Sequence, residues 1–274
     1  MRAIAILLLL VTSAVADDVA KPSQPKKKPR RPRVEVTISK ETTRITKPLR
    51  ADGYVDYVKA LNQKASKGVT PKNNAAVLLW RAIGPASIEP KYRKTFFAQI
   101  GSEPLPVEGG YFVPLEERFS EEQDQASEKL WSEKDHPRLA RWLKENEKPL
   151  RLVVEASRRS RYFSPSFPSI EDEYWPVMAI QYPSLHHVSS LADALRTRAM
   201  LRAKAGRVDQ AWSDLMACYR LARLIGNDPS VTATGIERLT CRTATTLAQH
   251  GGLSAIAAAR FAAELGKLPP LGGA

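Results

Sequence analysis

Apolar and polar positions alternate with helical spacing over most of this chain, and the helices are bounded by clear punctuation. Asp52 is placed to cap a helix with Tyr54, Val55, Val58 and Leu61 on one face and Gly68 at its end. Thr70-Pro71 supplies a cap and a first-turn proline for a second helix. Its run Ala75-Ala76-Val77-Leu78-Leu79-Trp80 is apolar nearly all round, which predicts a central position; Gly84-Pro85 stops it. A third helix is expected from Pro90 to Ile100, stopped by Gly101, and Ser102 to Pro114 reads as loop. Ser120-Glu121-Glu122-Gln123 fits a capping box opening a helix through Lys134. Pro137 starts another, with Leu139, Trp142 and Leu143 on one side, and Pro149 should bend or break the path before Leu150 to Ala156. Val34 to Ile38 alternates apolar and polar and allows a short extended segment.

Residues 160–187 change character: prolines, the aromatics Tyr162, Phe163, Phe167, Tyr174 and Trp175, and the acidic triplet Glu171-Asp172-Glu173. This reads as a long ordered loop and a sub-boundary of the domain, its rings either plugging the core or exposed for binding. From Ser189 the pattern is clearest. One helix carries Leu191, Leu195, Ala199 and Met200; Gly206-Arg207 breaks it; a second carries Val208, Ala211, Trp212, Leu215, Cys218, Tyr219 and Ala222 and ends at Gly226. Gly206, Ala211, Leu215 and Cys218 resemble the spacing of a tetratricopeptide (TPR) hairpin, in which small residues let two antiparallel helices approach closely. Arg202 and Arg223 depart from that pattern, standing where an aromatic and a helix-ending proline are expected. A second hairpin follows, Val231 to His250 and Ser254 to Leu265, broken at Gly251-Gly252, with Ala257 and Phe261 at offsets like those of Ala211 and Leu215. The glycine breaks are 46 residues apart, against about 34 in a regular TPR array. The fold class expected is all-α: an irregular helical array over 34–274, with TPR-like antiparallel hairpins in the C-terminal half. The chain ends soon after the last helix, which leaves open a C-terminal truncation.

The N-terminus alters the functional frame. Arg2, the apolar run Ala3 to Val11 and the small residues before Ala16-Asp17 have the three parts of a secretory signal peptide, with cleavage between Ala16 and Asp17. Nine apolar residues are far short of the roughly 20 a membrane-spanning helix needs. The expected product is an exported protein, periplasmic or extracellular, without a transmembrane segment. Residues 17–33 form a Pro/Lys/Arg-rich linker that should be disordered, since it has too little apolar surface to offset its ordering entropy. Export disfavours nucleic acid as its partner. It favours an anionic envelope polymer or lipid surface, met by Lys26, Lys27, Lys28, Arg30, Arg31 and Arg33, or a plain solvated role. That segment holds only +5 of the chain's net +13, so the body is basic too. Arg196, Arg198, Arg202, Lys204 and Arg207 have helical spacing, which reads as a solvated helix surface or a basic binding face.

Several strings resemble an uncharacterised family of exported proteins from planctomycete bacteria: Asp52-Gly53-Tyr54-Val55-Asp56-Tyr57, GVTPKNNAAVLLWRAIGP from Gly68, and NEKPLRLVVEASRRSRYFSP from Asn146. The resemblance implies a helical exported protein. It implies no activity and no residue roles.

The chain carries no nucleophile elbow, Walker loop, dinucleotide fingerprint or zinc-protease motif, and no cofactor is called for. The weak metal candidates are His186 and His187 with Glu171, Asp172 and Glu173; adjacent histidines converge on one ion only in irregular backbone. Glu155, Glu171 and Glu173 offer a carboxylate pair of the glycosidase sort, but nothing in the sequence sets them opposite one another. Cys218 and Cys241 fall on consecutive helices at similar height and read either as a disulfide or as two buried free thiols. The expectation is a helical scaffold or protein-interaction module. The alternatives are a hydrolase-like enzyme using 160–187 and a surface adaptor using the basic tail.

Overall fold

The computed structural model describes residues 37–51, 53–168, 180–181, 183–226 and 231–271. The expected signal peptide and basic linker, Asp52, Glu171, Asp172, Glu173, Tyr174 and Trp175 lie outside the described residues. The chain divides into two units, Met1–Arg44 and Ile45–Ala274. In the first, Ser39 to Thr43 form a turn closed by the Thr43 amide on the Ser39 carbonyl at 2.8 Å.

The second unit is all-α. Its helices are α1 (Tyr57–Ala65), α2 (Ala75–Ile83), α3 (Pro90–Ile100), α4 (Ser120–Glu128), α5 (Pro137–Glu145), α6 (Glu147–Ala156), α7 (Pro183–Lys204), α8 (Val208–Ile225), α9 (Thr232–His250) and α10 (Ala255–Gly266). A two-residue antiparallel ribbon, β1 (Phe167–Pro168) with β2 (Ile180–Gln181), interrupts the series between α6 and α7. No helix among the described residues is long and apolar enough to cross a membrane.

The core forms where helices are apolar on more than one face. Every residue of α2 except Arg81 is buried, as its all-round apolar sequence predicts. It packs against α6 and α7, and Trp80 meets Phe96 of α3 edge-on at 4.9 Å between ring centroids. Helix α3 has the predicted bounds: Pro90 occupies the first turn, and Gly101 takes φ +72°. A Cβ at Gly101 would also lie 2.3 Å from Pro71, so only glycine fits there.

Five local expectations are corrected. The cap of α1 is Asp56, which accepts the Lys59 amide at 2.9 Å, because Val55 just before it is still paired with Leu49 in an antiparallel bridge. Thr70-Pro71 begins a separate turn, and Asn74 caps α2 by accepting the Ala76 amide at 3.1 Å. Ser120 makes no side-chain cap bond, because a 3-10 turn at Glu117–Phe119 already precedes it. Helix α4 then stops at Glu128 and not Lys134; the chain extends at Lys129 and carries Trp131 into the core, where its indole N–H donates to the Thr197 carbonyl at 3.1 Å. Pro149 breaks nothing: it sits in the first turn of α6, where a missing N–H has no helical acceptor to lose.

In the C-terminal half, α7 and α8 run antiparallel, with Arg198 opposite Asp214 and Ala192 opposite Cys218. Helices α8 and α9 are also antiparallel, with Tyr219 opposite Cys241 and Arg223 opposite Glu237. Gly206, at φ +74°, makes the α7–α8 turn. Ala211, Leu215 and Cys218 are fully buried, which lets α8 approach its neighbours closely. Helix α10 lies against α8 through Phe261, which stacks on Trp212 at 4.2 Å.

Candidate binding groove and buried arginine cluster

A groove of about 590 Å³ opens between α1, the end of α3 and the extended chain at 163–167. Phe163 and Phe167 form its apolar floor. Asn62, Gln63, Gln99 and Ser66 present amides and a hydroxyl, with Lys59 and Arg50 as cations and Asp56 as the one acidic residue. Tyr92 stacks on Phe167 from behind at 4.7 Å and fixes the floor.

The groove wall is positioned by asparagine carboxamides. Asn62 accepts the Ser166 amide and donates to the Ser166 carbonyl, both at 2.9 Å. Asn74 does the same to Phe163, again at 2.9 Å in each direction. A carboxamide has the same donor and acceptor as a peptide unit, so each asparagine replaces a missing neighbouring strand. Asn146 repeats the device elsewhere, accepting the Val113 amide at 2.8 Å and donating to its carbonyl at 3.2 Å. The sequence reading missed all three. The doublet Asn73-Asn74 marks a cap, but the strand it would hold lies 89 residues away.

The arginines of α7 overturn the reading of a solvated or binding basic face. Arg196 and Arg198 are buried, and Asp214 of α8 is completely so. Asp214 receives Arg198 in a fork, Nη2 at 2.7 Å and Nε at 3.1 Å, and Arg202 Nη1 at 2.8 Å. Glu147, more than half exposed, adds a contact to Arg198 at 3.3 Å. Burial works against the charge on Asp214 and pushes its carboxyl up, while Arg198 and Arg202 pull it back. Burial also works against the Arg198 guanidinium, yet Asp214 holds it above its ordinary value. Arg196 donates to Asp193 at 2.7 Å, and its Nε has no hydrogen-bond partner among the described residues. The two arginines that depart from the TPR spacing both carry inter-helix pairs: Arg202 with Asp214, and Arg223 with Glu237. Lys204 and Arg207 remain exposed.

Both cysteines are free thiols. Cys218 is buried, points its thiol at the Ala192 carbonyl at 3.5 Å, and is pushed well up by burial. Cys241 is exposed, contrary to the expectation of two buried thiols, and its sulfur accepts the Tyr219 hydroxyl at 3.3 Å.

His186 and His187 have ring centroids 5.9 Å apart at the start of α7. His186 is exposed, while His187 turns inward toward Trp80 and is held below its ordinary pKa by burial and then by His186. Among the described residues no group of His, Cys, Asp and Glu is placed to hold a metal ion. Of the aromatics from 160–187, Phe163 and Phe167 are buried and Tyr162 is partly buried against the core, the plug arrangement. Compared with known proteins, the chain matches no family model, no curated protein and no solved structure.

Proposed function

We propose that this is an exported helical interaction module whose binding surface is the groove between α1 and the 163–167 segment. The observation carrying this reading is the chemistry of that groove: amides, a hydroxyl and cations arranged over an aromatic floor. Such a lining suits recognition of a polar chain with occasional apolar side chains. Its wall is fixed before any ligand arrives, because Asn62 and Asn74 already satisfy the wall's backbone groups. Preorganisation of this kind lowers the entropy cost of binding. The succession of antiparallel helices from α7 to α10 supports a TPR-like scaffold behind it, one that stiffens the core without contributing to the groove lining.

Photo-crosslinking side chains at Gln63 and Gln99, both exposed groove positions, test the proposal in the native envelope. Exposed Arg151 on α6 serves as the off-groove position. The expected result is one partner captured from both groove sites and not from Arg151. Once purified, that partner should bind the full chain at least tenfold more weakly when Gln63→Trp and Gln99→Trp fill the groove. Equal capture from Arg151, or unchanged binding by the filled groove, refutes it.

A further inference from the structure

A second cleft, of about 450 Å³, opens between the C-terminal end of α6, α8 and α10. Its size lies within the range of small-ligand sites. Trp212 and Phe261, stacked nearly parallel, line one side, and Ser213 and Met216 of α8 continue it. The two acidic residues of the lining already have partners. Asp209 pairs with Arg260, whose guanidinium also lies 5.0 Å above the Phe261 ring. Glu264 accepts the Trp212 indole N–H at 3.0 Å.

The remaining two charged residues are both cations, Arg158 and Arg220. Neither guanidinium has a carboxylate or hydrogen-bond partner among the described residues. This sets them apart from Arg196, Arg198, Arg202 and Arg223 nearby, each of which meets an acid. Arg158 lies just past the end of α6, where a positive charge also favours the helix dipole. Arg220 has no such account. It is half-buried within α8, so part of its hydration is lost and nothing among the described residues replaces it.

We propose that this cleft binds a small oxyanion ligand, a carboxylate or a phosphate, between Arg158 and Arg220, with the ligand's apolar part against Trp212 and Phe261. A guanidinium offers two parallel N–H donors matched to two oxygens of either group, so two arginines lining one cleft suit a compact oxyanion. Asp209 is neutralised by Arg260, and Glu264 keeps its charge while accepting from Trp212, so three arginines against two carboxylates leave the lining with a net charge of +1. This site shares no residue with the α1 groove, so the two proposals stand or fall separately.

The test is calorimetric titration of the full chain with inorganic phosphate and, separately, with glutarate, in chloride buffer at constant ionic strength. The expected result is saturable one-to-one binding of at least one probe. Arg220→Met and Arg158→Met should each weaken it about tenfold or more, the effect of losing one charge-assisted contact. Arg151→Met, which removes the same charge from exposed surface of α6, should leave it unchanged. Binding of phosphate alone assigns a phosphate ligand, and binding of glutarate alone a carboxylate. Exposed Arg158 keeps the test valid if Arg220→Met fails to fold. No saturable binding of either probe, or equal weakening by Arg151→Met, overturns the proposal.

Discussion

Removing the Asp214 carboxylate should be among the costliest single changes in the protein, and removing its main partner as well should restore most of the loss. Asp214 is fully buried and accepts three charge-assisted hydrogen bonds, two from Arg198 and one from Arg202. Asp214→Ala leaves the Arg198 guanidinium, about 5% exposed, facing a void, with only the longer 3.3 Å contact to exposed Glu147 to answer it. Breaking one side of such a pair costs about 3–5 kcal/mol, most of it the penalty of an uncompensated buried charge. Arg202 suffers less, because it is 16% exposed and keeps Glu147 at 3.6 Å.

The opposing shifts within the cluster bear on the double variant. Burial raises the Asp214 carboxyl and outweighs the arginines that lower it, so the pair's attraction does not recover the full cost of desolvation. Replacing Arg198 and Asp214 together by Met and Leu removes both desolvation costs along with the attraction. The double variant should therefore fall within about 1 kcal/mol of the parent, well above Asp214→Ala. Urea denaturation followed by circular dichroism measures this, provided the denaturant slope is unchanged among the variants. A loss below about 1 kcal/mol for Asp214→Ala, or a double variant no more stable than the single, would refute the reasoning.

Three further outcomes follow from the geometry. Asn74→Ala leaves the Phe163 amide and carbonyl and the Ala76 amide without partners, and should cost more than about 3 kcal/mol by the same urea assay; a loss under about 1 kcal/mol would show that the 161–166 segment is held by something else. His187 is held below its ordinary pKa of 6.5 by burial, so the unfolded chain takes up its proton first. The stability it contributes is complete above pH 6.5 and is lost as pH falls through its lower folded value; His187→Gln should make stability less sensitive to pH between 7 and 5, and an unchanged pH slope would contradict this. In native protein an alkylating reagent should modify Cys241 and spare Cys218, and unfolding without reductant should release both thiols; a single reactive thiol or none after unfolding would contradict the free state.

Much of the helical frame is legible in the sequence because its signals are local. Helix α3 begins at its proline and ends before its glycine, as read, since both residues act through their own backbone geometry. The same holds for α5 after Pro137, whose Leu139, Trp142 and Leu143 all reach the core. Local signals mislead where two caps compete. Thr70-Pro71 is a good helix start in isolation, but the turn from Thr70 places Asn73 and Asn74 to bind the chain at 161–163, and α2 begins only after that contact is made.

The groove and the arginine cluster were illegible for one physical reason: their defining partners come from distant segments. Arginines at 196, 198 and 202 look like a solvated stripe because exposed arginines are the common case. What makes them a core element is one buried aspartate on the next helix, and no pattern within α7 announces it. The asparagines are a subtler case. Asn74 and Asn146 stand at helix ends, where asparagine is common, and Asn62 reads as one more polar residue within α1. Each nevertheless holds both backbone groups of a residue 33 to 104 positions away. A helical protein with irregular connections must satisfy loop backbone that no strand neighbours, and the carboxamide is the side chain that does so with the peptide's own donor and acceptor. In all-α chains with long non-helical segments, buried asparagines near helix ends are therefore the residues to test first as anchors of a binding surface. Here two of the three hold the wall of the groove.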